Sequence, residues 1–141
     1  MWKLMKGYIT YKKMNIRMLI VEDEPFRVVF AWTAQETASE FFEVGAVDIA
    51  QNFLEAQKLI RIHLYDLVLL DHKIPEEPGK DPVPCGYNLI PFIKKKSKNT
   101  LIIGISSYED QKEEPDYRFI KPFSPDELKK FLREILQNLN P

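Results

Sequence analysis

Cysteine is nearly absent from this chain. Cys85 is the single one, so no disulfide can close within it, and such usage suits a reducing compartment. Histidine is scarce too. Neither His63 nor His72 has a second His or a Cys at metal-ligand spacing, which speaks against a zinc site. Neither sign of charge is in excess: a formal net charge of −1 gives no global field for nucleic acid or an anionic membrane. No apolar run approaches the roughly 20 residues of a membrane-spanning helix. The N-terminus, with Lys3, Lys6, Lys12 and Lys13, lacks the apolar core of a signal peptide. A cytoplasmic protein is expected. Hydrophobic residues make up 45% and charged residues 29% of 141 positions, enough for one domain with a sizeable core.

Residues 16–21, IRMLIV, read as a strand ended by EDEP. Residues 1–13 look appended to a domain spanning 14–141; a tail, a short added element and an upstream start codon all remain open. From Phe26, apolar or small residues recur at Val29, Phe30, Thr33, Thr37 and Phe41, which is helical spacing. AVDIA, 46–50, is a second strand. Asn52 can cap a helix from about Phe53 to Leu64, with Ala56, Ile60 and His63 on one side. DLVLL, 66–70, is a third strand. Gly86 to about Ser97 reads as helix, provided Pro91 lies in its first turn, where its missing N–H costs little. TLIIGI, 100–105, and YRFI, 117–120, are further strands. The last helix has Ser124 as N-cap, Pro125 at the first position and Glu127 closing a capping box. Leu128, Phe131, Leu132, Ile135, Leu136 and Leu139 then form one apolar stripe. The KKKSK run, 94–98, falls at a helix end, where cations are favoured.

This alternation of strand and helix implies a parallel sheet with helices on both faces. In open parallel sheets, sites form at the carboxyl ends of strands. Glu22 and Asp23 end the first strand, Asp71 the third, Ser106 and Ser107 the fourth, and Lys121, followed by Pro122, the fifth. Three clustered carboxylates repel one another and need a cation. Donors that are all oxygen favour a hard ion such as Mg²⁺. A carboxylate can attack phosphorus and form an acyl phosphate, while an ammonium and a hydroxyl hold the remaining phosphoryl oxygens. Asp71, at the end of an oily strand, stands where such a nucleophile would.

The pieces LIVEDEP, YDLVLLDHKIP, GYNLIPFIK, IIGISS and FIKPFSPDELKKFL follow in that order over about residues 15–140. Together they resemble a receiver domain of two-component response regulators, the CheY-like fold. The resemblance implies a five-stranded, doubly wound α/β sheet of flavodoxin-like order 2-1-3-4-5. It implies Mg²⁺ held by Glu22, Asp23, Asp71 and the backbone carbonyl of Lys73. It makes Asp71 the phosphoacceptor, puts Ser106 and Lys121 on the phosphoryl group, and gives the Lys121–Pro122 bond a cis geometry. The donor it implies is a histidine kinase or phosphotransfer protein. The function that follows is a stand-alone receiver in a phosphorelay. It binds neither nucleic acid nor membrane, catalyses only its own phosphorylation and dephosphorylation, and switches the binding of an unidentified output protein. A receiver-like adaptor that binds its partner without phosphorylation is the alternative. A metal-dependent phosphatase would want a second acid two residues beyond the nucleophile, where Lys73 stands.

The pattern departs from the family in three places. Only 15 positions separate Ser106 from Lys121, the intervening residues are polar, and Pro115 lies among them. A full fourth helix does not fit, so a single turn or a loop is expected. Arg118 stands where relatives carry Tyr or Phe. The stretch EEPGKDPVPC, 76–85, lengthens the loop after Asp71, where it can gate the site, select a kinase or merely decorate the surface. Lys73 and Tyr108, two residues beyond Asp71 and Ser106, are expected to slow loss of the acyl phosphate. His72 is expected to point away from Asp71, and Cys85 to be inert.

Overall fold

The structure, a computed structural model, describes residues 2–4, 11–106 and 115–139, with side chains for 15–106 and 115–138. Its elements run β1 (Trp2–Leu4), β2 (Tyr11–Val21), α1 (Arg27–Ala38), β3 (Phe42–Ala50), α2 (Phe53–Ile62), β4 (Leu67–Asp71) and β5 (Lys73–Pro75). They continue through β6 (Pro82–Pro84), a 3₁₀ turn (Gly86–Leu89), α3 (Ile90–Lys96), β7 (Leu101–Ser106), β8 (Tyr117–Ile120) and α4 (Pro125–Leu139).

Five strands pair in parallel in the order β3-β2-β4-β7-β8. Counting parallel strands alone, this is the expected 2-1-3-4-5. The central strands are near-continuous apolar runs because both their faces are covered. Alternation splits them between two cores. Met18, Ile20, Leu67, Leu69, Ile103 and Ile105 pack with α1 and α4. Leu19, Val21, Val68, Leu70 and Ile102 pack with α2, α3 and the 3₁₀ turn.

Several boundaries differ from the sequence reading. The first strand begins at Tyr11, before the expected run, and its start pairs antiparallel with Trp2–Leu4. β3 likewise starts at Phe42, because the lengthened β2 gives it a partner as early as Lys13. The register shifts at Ile16, next to Asn15, whose φ of 56° marks the irregularity. In α1 the buried face is Phe30, Ala31, Ala34, Thr37 and Ala38. The expected face included Val29 and Thr33, of which Val29 is exposed and Thr33 only half-buried. Two stripes at helical spacing overlap here, and the one rich in alanine wins because small side chains let the helix lie close on the sheet.

Capping agrees with the sequence. The Glu127 N–H donates to Ser124 Oγ at 3.1 Å and the Ser124 N–H to Glu127 Oε1 at 3.0 Å. The Glu55 N–H donates to Asn52 Oδ1 at 2.9 Å. Pro91 lies in the first turn of α3, as required. The lysine run does more than sit at a helix end. Lys96 Nζ donates to the carbonyls of Ile60 (2.7 Å), Arg61 (2.5 Å) and His63 (3.2 Å), satisfying acceptors that α2 leaves open at its end.

The 76–85 insertion folds as part of a ribbon in which β5 and β6 pair antiparallel. Ile74 anchors it in the core, and the Leu54 N–H donates to Glu76 O at 3.1 Å. The place of the fourth helix, 107–114, lies outside the described residues, as do Ser107 and Tyr108. Four α-helices occur among the described residues, and none is long and apolar enough to cross a membrane.

Candidate functional site

Parallel packing sets the carboxyl ends of β2, β4, β7 and β8 side by side, and the chemistry-bearing residues ride on them. Asp71 closes β4 and is 4% exposed. Its Oδ2 accepts a hydrogen bond from Lys121 Nζ at 2.8 Å, and its Oδ1 one from the Lys73 N–H at 3.3 Å. Lys121 Nζ also pairs with Glu22 Oε1 at 2.6 Å and lies 3.6 Å from Glu24 Oε1. Glu22, Asp23 and Asp71 each bring a carboxylate oxygen within 4.8 Å of the others. Ser106, buried, follows Ile105, the register partner of Asp71, and its carbonyl accepts the Lys121 N–H at 3.0 Å. The Lys121–Pro122 bond is cis, as the resemblance implied.

Burial sets the electrostatics. It raises the carboxyl of Glu22 to about 7, helped by the Asp71 charge beside it. Burial also raises Asp71 and Asp23 above the usual carboxylate range. For Lys121, burial works against the charge, but the hydrogen bonds it donates to Asp71 and Glu22 outweigh that and hold the amine protonated. One ammonium thus faces three carboxylates. The surplus negative charge, carried entirely by oxygen, fits a hard divalent cation.

A cleft of about 690 Å³ opens over this edge. Phe26, Val29 and Phe123 line it, together with Lys73 and Pro82 from the ribbon. Lys121 Nζ lies 5.2 Å from the centre of the Phe26 ring, a cation–π contact.

No family model and no curated protein matches the sequence. Solved structures do. The response regulator TrrA from Thermotoga maritima, in complex with Mg²⁺-BeF, is 30% identical, with 85% of this chain and 98% of that one covered at a TM-score of 0.57. The chain belongs to the CheY-like receiver domains of response regulators. A CheY-like receiver from Methanospirillum hungatei is 24% identical over 88% of this chain and 95% of its own, at a TM-score of 0.62. A response regulator from Burkholderia pseudomallei, with a phosphorylated aspartic acid, calcium ion and citrate, is 17% identical over 89% and 71%, at 0.60.

In this receiver the expected residues Glu22, Asp23, Asp71, Lys73, Ser106 and Lys121 lie at one edge of the sheet. His72 points to the other face, as expected, where its ring stacks on Tyr87 at 4.2 Å between centroids. Arg118, in β8, is half-buried and in register with Gly104. Burial and the nearby Glu76 charge push the Cys85 thiol up to about 11, so it stays protonated at neutral pH. The sequence reading missed Glu24, Phe26 and Tyr87. Glu24 was visible as the third acid in EDEP. Phe26 was read only as the start of helical spacing, whereas it is 39% exposed and lines the cleft. Nothing in GYNLI singled out Tyr87.

Proposed function

We propose that Asp71 accepts a phosphoryl group from a phosphohistidine on a histidine kinase or phosphotransfer protein, with Mg²⁺, and that the modified receiver changes its affinity for an output protein. The observation that carries this reading is the buried Asp71 carboxylate, clustered with Glu22 and Asp23 and held by Lys121 at 2.8 Å. An Asp71 oxygen forms the new bond to phosphorus as the bond between phosphorus and the donor imidazole breaks, and the imidazole nitrogen leaves with the electron pair. The Lys73 N–H fixes the orientation of the carboxylate. Lys121 is positioned to take a phosphoryl oxygen, and the Ser106 hydroxyl to take another.

The carboxylates of Glu22, Asp23 and Asp71, with the Lys73 carbonyl, would hold the metal. When bound, Mg²⁺ neutralises charge on the phosphoryl oxygens. The Mg²⁺-BeF bound to TrrA and the phosphorylated aspartic acid of the Burkholderia protein support this assignment by similarity. The donor's approach is through the open cleft. Beside it, α1 exposes Val28, Val29 and Trp32, the last 67% exposed, an apolar strip suited to a helix of the donor.

Incubation with acetyl phosphate and Mg²⁺, followed by intact mass, tests the reading. A gain of one phosphoryl group that disappears in Asp71→Asn is expected. No gain in the parent protein favours the adaptor alternative and overturns the proposal.

A further inference from the structure

We infer that Tyr87 couples the state of Asp71 to the start of β8, so that phosphorylation of the acceptor is relayed to that strand; this rests on the phosphoacceptor reading above. The coupling begins in the backbone. The His72 carbonyl accepts the N–H groups of Cys85 at 3.0 Å and Gly86 at 2.8 Å. Gly86 lies so close that a Cβ there would collide with the Asp71 carbonyl oxygen. The Tyr87 N–H then donates to His72 Nδ1 at 3.0 Å, and the two rings stack at 30°. The peptide that bears the acceptor is therefore clamped to the 85–87 turn by backbone and ring contacts alike.

From that clamp Tyr87, 1% exposed, reaches across to β7. Gly104 has no side chain, and the space a Cβ would occupy is taken by the Tyr87 hydroxyl and the Pro115 ring. Pro115 leads directly into β8. The next residue, Asp116, donates its N–H to Ile102 O at 2.8 Å, accepts the Ile102 N–H at 2.7 Å and pairs with Lys94 at 2.9 Å. β8 ends at Ile120, and Lys121 returns to Asp71. The contacts close a ring: acceptor, His72, Tyr87, Gly104 with Pro115, β8, Lys121, acceptor.

A close-packed interior transmits displacement because it has no slack. A phosphoryl group on Asp71 gives Lys121 a new partner. Any resulting shift of β8 presses Pro115 against Tyr87, and Tyr87 against the acceptor peptide. A tyrosine that only filled space would change stability when replaced, but not the response to phosphorylation.

Hydrogen exchange of the full chain, read over residues 101–106 and 115–120 with and without acetyl phosphate and Mg²⁺, distinguishes the two roles. Phosphoryl gain is checked by intact mass on the same samples. Phosphorylated parent protein is expected to change its exchange in both segments. Tyr87→Leu and His72→Leu are expected to gain the phosphoryl group yet lose most of that change. Tyr87→Phe keeps the stack and the ring carbon that also crowds the Gly104 position, and is expected to retain it. If Tyr87→Leu does not fold, His72→Leu carries the test. A response of parental size in a folded Leu variant overturns the inference, as does no response in phosphorylated parent. A folded variant that takes no phosphoryl group also overturns it, since Tyr87 would then act on the acceptor itself. A parent that takes no phosphoryl group removes the function proposed above, and this inference with it.

Discussion

Glu22 is 2% exposed and shares one ammonium with Asp71. Its carboxyl moves from 4.5 to about 7. An unfolded chain releases this proton near 4.5, whereas the fold keeps it to about 7. Between those values the folded state binds more protons, so stability from this group is greatest below 4.5, declines as pH rises to about 7, and then levels. The displacement corresponds to roughly 2–4 kcal/mol. In metal-free protein, Glu22→Gln should therefore raise the urea midpoint above that of the parent at pH 8 and leave it unchanged at pH 4.5. Equal midpoints at pH 8 contradict the stated cost of burying this charge. The site was legible at this scale because its acids and lysine follow apolar runs, where parallel strands end. Tyr87 was not, because its partners, His72, Gly104 and Pro115, meet it only through the fold.

Elements divide by how their ends and faces are encoded. α4 was read correctly because its start is written in side chains: Ser124 and Glu127 satisfy each other's backbone N–H groups within four residues. Ser124→Ala should lower stability by about 1 kcal/mol in urea unfolding. Arg133→Ala, which breaks the exposed two-bond pair with Glu40, should cost less than that, because solvent screens such contacts. Equal losses from the two variants contradict this ranking. For α1 the existence of the helix was legible but its face was not. Val29 and Thr33 compete with Ala31 and Ala34 for the sheet, and only the closeness of approach decides. The ribbon of β5 and β6 was illegible for a related reason: three-residue strands rich in proline carry no periodicity, and their pairing is fixed by Ile74 and by the contact with α2.

For the whole molecule, strand and helix alternation was enough to derive a parallel sheet with helices on both faces, whereas its strand order followed from the resemblance to receiver domains. The strand pairing at Trp2–Leu4 and the early start of β2 escaped, because that antiparallel register has no local signature. What the topology accomplishes is to bring residues from four strand ends, as far apart as Glu22 and Lys121, around one buried carboxylate. The most direct test of that assembly is chemical. The protein is treated with acetyl phosphate and Mg²⁺, an acyl phosphate is reduced by borohydride to homoserine, and peptides are read by mass. Homoserine at position 71, formed only when Mg²⁺ is present, is the predicted result. Reduction at any other carboxylate, to homoserine at an aspartate or hydroxynorvaline at a glutamate, or equal labelling of Asp71 without the metal, would contradict the account.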